Sequence, residues 1–145
     1  MSAMFHALDD QFFVTPQIAA ADIAAAKDAG VTLIVNNRPD GEDLSAPQGA
    51  EIAAAAEVAG LDYAYIPITH AGFSQHQLDA LEAAMARSNG RVLAYCRSGT
   101  RSSLLWGLVR ARMGEAPDAL HEKALAAGYN LGPVRAMMDA LAGRG

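Results

Sequence analysis

The sequence predicts an α/β protein in which a mostly parallel central sheet is flanked by helices on both faces. Two observations support this fold class. Short apolar runs rich in β-branched residues alternate along the chain with alanine-rich stretches of helical character, and this alternation is typical of parallel sheets. The run at 31–35 is also almost wholly apolar, as expected for a strand that is covered on both faces.

The first half of the chain contains three apolar runs that resemble strands and two stretches that resemble helices. The expected strands lie at 12–14, 31–35 and 61–68, and a polar or proline-containing segment follows each of them. The expected helices lie at 20–29 and 47–59. Gly30 and Gly60 follow these helices, and glycine best tolerates the left-handed conformation at a helix carboxyl end.

The second half contains one further strand and four helices. Ser74 is a suitable N-cap for a helix over 75–87, whose apolar positions follow helical spacing. Asn89-Gly90 predicts a turn, and the next strand-like run covers 91–95. Three more helices are expected at about 101–113, 117–127 and 131–141.

Composition and charge exclude several classes of protein. With 145 residues, 52% of them hydrophobic and 19% charged, the chain is expected to form one folded domain over 1–145. No apolar run approaches the roughly 20 residues that cross a bilayer, and 1–10 lacks the pattern of a secretion signal. We therefore expect a cytoplasmic protein with no membrane partner. The net charge of -5 argues against a nucleic-acid partner.

The single cysteine, Cys96, excludes an internal disulfide and a multi-cysteine zinc site. The four histidines show no metal-ligand spacing, so neither a metal nor another cofactor is expected. Nothing in the sequence indicates the oligomeric state. The function of the cysteine must be judged from the residues around it.

Residues 96–102, here called the cysteine loop, connect the strand at 91–95 to the helix that follows. In folds of this class, sites lie at the carboxyl ends of the strands. A strand, a short turn centred on Gly99 and a helix start form a cup of inward-pointing backbone N–H groups beside the positive end of a helix dipole. Such a cup binds a tetrahedral oxyanion and favours a thiolate at its floor, so Cys96 is a candidate nucleophile.

The neighbours of Cys96 support this hypothesis over the alternative that it is an inert core residue. Two arginines, a glycine and several hydroxyl groups lie within the cysteine loop, where a core cysteine would have apolar neighbours. Arg101 can grip two oxygens of an anion with its planar guanidinium, which a lysine cannot do. Ser102 or Ser103 could hydrogen-bond the sulfur as it leaves.

Two segments resemble a known family. The string Tyr95-Cys96-Arg97-Ser98-Gly99-Thr100-Arg101-Ser102 with Leu104-Leu105-Trp106 behind it, and the earlier string Asn36-Asn37-Arg38-Pro39-Asp40, are similar to the bacterial phosphatase-like family named after the amino-terminal domain of beta-lactamase-hydrolase-like proteins. The resemblance covers about 5–141. It implies a fold of the protein-tyrosine-phosphatase type, in its dual-specificity form, and a phosphatase-like hydrolase that acts on a phosphomonoester through a covalent thio-enzyme intermediate.

The resemblance also implies roles for the residues of the cysteine loop. Cys96 would be the nucleophile, Arg101 the oxyanion clamp, and Arg97, Ser98, Gly99 and Thr100 the backbone that cradles the phosphate. The implied partner is a small anionic or phosphorylated substrate.

The chain departs from tyrosine phosphatases in three ways. Tyr95 replaces a histidine before the cysteine, four residues instead of five separate Cys96 from Arg101, and 69–74 contains no aspartate to protonate the leaving alcohol. His70 and Asp40 are the candidates for this acid. Arg38 is a candidate anion-binding residue, or it buttresses the cysteine loop by hydrogen bonds.

The short spacing leaves a second enzyme class open. A cysteine and an arginine separated by four residues are also similar to the active loop of rhodanese-type sulfurtransferases, in which the cysteine carries a persulfide and sulfite leaves without help from an acid. The chain lacks the Asp-Val-Arg and Gly-His-Ile-Pro-Gly-Ala motifs of rhodanese domains. A non-catalytic module that binds anions or phosphoproteins is the third alternative.

Overall fold

The structure is a computed structural model that describes residues 5–143. In this part of the chain, five strands form one sheet in the order β1-β2-β5-β3-β4. The strands are β1 (His6–Ala7), β2 (Phe12–Thr15), β3 (Val31–Asn36), β4 (Asp62–Tyr65) and β5 (Arg91–Tyr95). All neighbouring strands are parallel except β1, which pairs with β2 in the antiparallel sense. The predicted, mostly parallel sheet is therefore confirmed. The ends of the expected domain, residues 1–4 and 144–145, lie outside the described residues.

Six α-helices connect or cover the strands in the described part of the chain. They are α1 (Asp22–Asp28), α2 (Gly49–Ala59), α3 (Gln75–Arg87), α4 (Thr100–Arg112), α5 (Pro117–Ala126) and α6 (Arg135–Ala142), with a short 3₁₀ helix at Gly132–Val134 before the last of them. No helix among residues 5–143 has both the length and the apolar character needed to cross a membrane.

The sheet separates two apolar cores. Along β5, Val92 and Ala94 face one core while Leu93 and Tyr95 face the other, because successive side chains of a strand point to opposite faces. Helices α3, α4, α5 and α6 contribute buried side chains to the first core, and α1 and α2 contribute to the second. This arrangement confirms the prediction of helices on both faces of the sheet.

The structure differs from the sequence-based expectations most clearly at three elements, of which the first is the unpredicted strand β1. The strand expected over 61–68 is regular only at Asp62–Tyr65, since Pro67 has no N–H to donate to a continuous ladder. The helix expected over 131–141 begins as the 3₁₀ helix and becomes α6 at Arg135.

Parallel strands bring three connecting loops to one edge of the sheet. The cysteine loop leaves the carboxyl end of β5 in the middle of the sheet. Residues 37–48, here called the carboxylate loop, leave β3, which pairs with β5. Residues 66–74 leave β4, the strand on the other side of β3. The candidate site lies where these three loops meet.

Candidate active site

The cysteine loop makes a tight turn at Gly99. This residue has a φ of +91° and is the N-cap of α4, a helix of 13 residues. A Cβ atom at this position would lie 2.3 Å from Tyr129 Oη, so both the backbone conformation and the neighbouring side chain require glycine. The turn points the Gly99 N–H at the Cys96 Sγ atom, to which it donates a hydrogen bond of 3.1 Å.

The Cys96 side chain is fully buried, with 0% of its surface exposed. It lies at the end of β5, next to the amino end of α4. The oriented N–H group of Gly99 and the positive end of the helix dipole both stabilise negative charge at this place. The surroundings therefore suit an anionic sulfur or an oxyanion bound above it.

Arg101 presents its guanidinium group to a carboxylate. Its Nη1 and Nη2 atoms donate to the two carboxylate oxygens of Glu42 at 2.8 and 2.7 Å, and Nη1 also donates to the Ile68 carbonyl oxygen at 2.9 Å. The hydrogen bond that Arg101 donates to Glu42, followed by the proximity of Cys96, raises the pKa of Arg101. Arg101 thus makes the paired, parallel hydrogen bonds that a guanidinium forms with a phosphoryl group.

Glu42 is a functional candidate that sequence reasoning missed. Besides its two bonds to Arg101, its Oε1 atom accepts a hydrogen bond of 2.9 Å from Arg38 Nε. The hydrogen bond from Arg101 is the largest of the effects that lower the pKa of Glu42 to about 2. Glu42 and Arg101 are 59 positions apart in the sequence, so no local spacing pattern could have linked them.

Glu42 and Arg101 line a cavity of roughly 430 Å³. The lining consists of Glu42, Ile68, Thr69, His70, Phe73, Arg97, Ser98, Thr100, Arg101 and Leu104. The cavity therefore brings together His70, Arg101 and three of the predicted anion-binding residues, Arg97, Ser98 and Thr100. Cys96 lies beneath the lining, so a substrate reaches its sulfur only if the groups beside it move.

Asp40 lies outside this cavity. Its Oδ1 atom accepts a hydrogen bond of 2.7 Å from the backbone N–H of Gly49, the first residue of α2, and its own N–H donates to Tyr65 Oη at 2.9 Å. A carboxylate at this point satisfies one of the free N–H groups at the helix start. In this arrangement Asp40 holds the carboxylate loop against α2 and does not face the reacting atoms.

Arg38 is almost fully buried and holds the carboxylate loop from below. Its Nη1 atom donates to Gln17 Oε1 at 3.0 Å, its Nε atom donates to Glu42, and its Nη2 atom lies 3.6 Å from Asp43 Oδ2. Each nitrogen of its guanidinium therefore faces a protein group. The position of Arg38 corresponds to the buttressing alternative, because it reaches the cysteine loop through Glu42 and Arg101.

The serines at the start of α4 hold the turn in place. Ser102 Oγ donates to Asn37 Oδ1 at 2.7 Å, and Asn37 Nδ2 donates to the Ile66 carbonyl oxygen at 2.8 Å. Ser103 Oγ donates to the Gly99 carbonyl oxygen at 2.9 Å. The sulfur receives its hydrogen bond from the Gly99 N–H, while Ser102 binds the Asn37 side chain and Ser103 binds the Gly99 carbonyl.

Tyr129 is a second residue that sequence reasoning missed. It follows α5 and its Oη atom donates a hydrogen bond of 3.2 Å to the Ser98 carbonyl oxygen. Burial, followed by the proximity of Cys96, raises the pKa of Tyr129. The tyrosine therefore packs on the cysteine loop at the border of the first core, and its proximity to Gly99 limits what that position can hold.

The site offers no metal centre within the described chain. Among residues 5–143, no group of three or more His, Cys, Asp or Glu side chains is arranged to hold a metal ion. The polar side chains of the cavity lining include two arginines, one carboxylate and one imidazole.

Comparison with solved structures defines the class of protein. A candidate phosphatase of Neisseria meningitidis superposes on this chain with a TM-score of 0.81 and 36% sequence identity, covering 93% of this chain and 96% of that one. The kinase-associated phosphatase superposes with a TM-score of 0.75 at 12% identity, covering 97% of this chain and 93% of that one. The fold is thus that of the protein tyrosine phosphatases, of the dual-specificity type.

The chain belongs to the phosphatase-like domain family of beta-lactamase hydrolase-like proteins, which residues 4–113 match. The beta-lactamase hydrolase-like protein of Agrobacterium fabrum is 32% identical over 111 residues, which are 77% of this chain and 25% of that protein. The chain therefore spans about a quarter of the length of this curated relative. The family resemblance predicted from the cysteine loop is confirmed.

Proposed function

We propose that this protein is a cysteine-dependent hydrolase that removes a phosphoryl group from a phosphomonoester, with Cys96 as the nucleophile. The observation that carries the proposal is the arrangement around the sulfur. The Gly99 N–H points at Sγ from the start of α4, and Arg101 already makes two parallel hydrogen bonds to a carboxylate in the same cavity. The phosphatase-like family and fold support the same reaction class.

The first chemical step transfers the phosphoryl group to sulfur. The Cys96 thiolate attacks phosphorus, an S–P bond forms, and the P–O bond to the leaving oxygen breaks. Arg101 and the backbone N–H groups of 97–100 bind the three non-bridging oxygens, where negative charge has to be held during transfer. The leaving oxygen departs with the bond electrons and becomes an alcohol or phenol when it takes up a proton.

The second step releases phosphate. A water molecule attacks phosphorus, the S–P bond breaks, and the thiolate of Cys96 is regenerated together with inorganic phosphate. No redox partner is needed, because water is the sole co-reactant. We expect the substrate to be a small anion or a phosphorylated molecule, and we expect the reaction to take place in the cytoplasm.

Sulfur transfer is the second candidate function. Only four residues separate Cys96 from Arg101, and the cavity lining contains no aspartate. Both observations favour a reaction whose leaving group needs no proton, such as the departure of sulfite from thiosulfate. The cysteine would then carry a persulfide.

Mass spectrometry of Cys96 separates the two candidates. The protein is incubated with an aryl phosphate or with thiosulfate, quenched in acid and digested. A phosphoryl adduct on the Cys96 peptide supports the phosphatase, and a persulfide supports the transferase. An absence of both adducts, together with binding of sulfate or phosphate, would indicate a non-catalytic module and overturn the proposal. The Cys96→Ser variant is the matched control, since it offers no thiol to modify.

A further inference from the structure

Glu42 is a charged group of the cavity that neither the transfer of the phosphoryl group to sulfur nor the release of phosphate uses. About 30% of its side chain is exposed, and both carboxylate oxygens lie on the guanidinium of Arg101. Arg38 holds one of the same oxygens from the other side. Glu42 thus occupies the hydrogen-bonding positions that a bound phosphoryl group needs, and it has to leave them when a substrate binds.

The proposed reaction requires a proton for the leaving oxygen, and its donor has not yet been assigned. An alkoxide is a poor leaving group, and its protonation in the transition state contributes about 10²–10⁴-fold to the rate. Asp40 is bound to the start of α2 and lies outside the cavity. Among the described residues that line the cavity, the side chains able to donate a proton at a suitable pH are therefore Glu42 and His70.

We propose that Glu42 is the general acid for the leaving group, and that it acquires its proton from the substrate when the phosphoryl group replaces it on Arg101. This inference rests on the proposed phosphatase function and adds a catalytic residue to it. Glu42 lies in the carboxylate loop, which follows the strand next to β5. Its carboxyl group can remain in the cavity on Arg38 after Arg101 has turned to the substrate.

The exchange balances in atoms and charge. A phosphomonoester has its second pKa near 6, so part of the substrate carries one proton at neutral pH. When the phosphoryl oxygens take the Arg101 hydrogen bonds, this proton passes to Glu42, leaving a dianion on Arg101 and a neutral carboxylic acid beside it. During transfer to Cys96 the proton moves from Glu42 to the ester oxygen, and the alcohol leaves. The Glu42 carboxylate can then accept a proton from the attacking water.

The charges around Glu42 explain why it changes its protonation state. Glu42 contacts Arg38 from its own loop and Arg101 from the cysteine loop, and it shares the cavity lining with His70 and Arg97. Two further titratable groups lie beyond these contacts, Asp43 next to Arg38 and Cys96 next to Arg101. Without substrate, the hydrogen bonds of Arg101 hold the pKa of Glu42 far below its usual range. Loss of Arg101 and the arrival of phosphoryl charge both raise that pKa again, because they disfavour a second anion at this place.

The first test compares leaving groups in Glu42→Gln. A phenolate such as p-nitrophenolate leaves without protonation, whereas an alkoxide does not. We expect the ratio of alkyl to aryl phosphate turnover to fall by about 10²–10⁴-fold in Glu42→Gln, and to recover partly in Glu42→Asp, which restores a carboxyl group. Glu57→Gln, on the exposed face of α2, is the matched control and should leave the ratio unchanged.

The second test measures proton uptake on binding of sulfate, which has no proton of its own at neutral pH. Calorimetry of Cys96→Ser in two buffers of different ionisation enthalpy gives the number of protons taken up. We expect uptake in Cys96→Ser and in Cys96→Ser/His70→Gln, and none in Cys96→Ser/Glu42→Gln. This readout does not depend on turnover.

The outcomes separate the two proposals. A phosphoryl adduct on Cys96 combined with an equal loss of alkyl and aryl turnover in Glu42→Gln would reduce Glu42 to a positioning residue for Arg101. Proton uptake that disappears with His70 instead of Glu42 would transfer the acid role to the imidazole. If neither ester phosphorylates the wild-type cysteine, the proposed function itself fails, and the role of Glu42 fails with it.

Discussion

The cysteine loop and the carboxylate loop meet at one cavity but are held together in different ways. The turn at Gly99 is held by contacts close in sequence, from the Gly99 N–H to Cys96 and from Ser103 to the Gly99 carbonyl. The carboxylate loop is held to it by contacts between residues that lie far apart in the sequence, Glu42 with Arg101 and Asn37 with Ser102. The first loop is therefore expected to keep its shape in most circumstances, while the second can exchange its partner.

This difference sorts the functional residues into two kinds. The cysteine loop supplies the nucleophile and the oxyanion cradle, which have to be preorganised. The carboxylate loop supplies a charge that is useful because it can be displaced. The predictions below test how separate these two contributions are.

The largest effect is expected from Cys96→Ser. The hydroxyl group is a far weaker nucleophile than a thiolate, so turnover of an aryl phosphate should fall by at least about 10⁴-fold. Sulfate binding and the thermal unfolding midpoint should remain close to those of the wild type, because the Gly99 N–H and Arg101 are unchanged. Comparable turnover in the serine variant would show that the reaction does not pass through the sulfur.

Arg101→Lys is expected to have the second largest effect. Lysine keeps the positive charge but cannot form two parallel hydrogen bonds, so kcat/KM should fall by about 10²–10³-fold. Arg97→Ala, which removes a side chain that lines the same cavity, should cost much less. Equal losses in both variants would mean that the oxyanion clamp is wrongly assigned to Arg101.

The two loops also differ in how far they could be predicted from the sequence. The cysteine loop was recognisable because a strand, a glycine turn and a helix start follow one another within a few residues. For the same reason the bounds of β5 and α3 agree with the prediction: the apolar run at 91–95 and the Ser74 cap with Gln77 are local patterns. The strand β1 was not predicted, because a strand of two residues is too short to show an alternating pattern.

Glu42 and Tyr129 could not be predicted in this way. Each residue is distant from the cysteine loop in the sequence and contacts it only in the folded protein. Glu42 lies in the loop after β3, and Tyr129 follows α5. Asp40, which the sequence offered as a candidate acid, binds the start of α2 instead. Local sequence patterns thus identified the preorganised half of the site, while the displaceable half depends on tertiary contacts.

Gly99→Ala tests the rigidity of the cysteine loop. Gly60, at the end of α2, is the matched control, because Gly99 and Gly60 both have positive φ. A Cβ on Gly99 would meet Tyr129 at 2.3 Å, while one on Gly60 would meet nothing within 4 Å. Gly60→Ala should therefore lower the free energy of unfolding by about 1–2 kcal/mol, and Gly99→Ala by more. Chemical denaturation measures both, and Gly99→Ala/Tyr129→Ala separates the steric clash from the backbone strain. Equal losses in the two single variants would show that Tyr129 yields easily.

The smallest effect concerns the pH dependence of stability at the carboxylate loop. The hydrogen bond from Arg101 lowers the pKa of Glu42 from 4.5 to about 2 in the folded protein. A depressed carboxyl pKa contributes stability that is present above the unfolded value and is lost as the pH falls toward the folded value. The wild type should therefore exceed Glu42→Gln in unfolding free energy above about pH 5, and this advantage should shrink between pH 4.5 and 2.

The expected advantage is modest because about 30% of the Glu42 side chain is exposed and solvent screens its ion pairs. Urea unfolding of wild type, Glu42→Gln and the control Glu57→Gln at pH 6 and pH 3.5 measures it, with low salt to limit screening. An advantage that is the same at both pH values would mean that Glu42 stabilises the loop by packing alone. The carboxylate would then not be bound to Arg101 by charge, and a phosphoryl group could not displace it by carrying more charge.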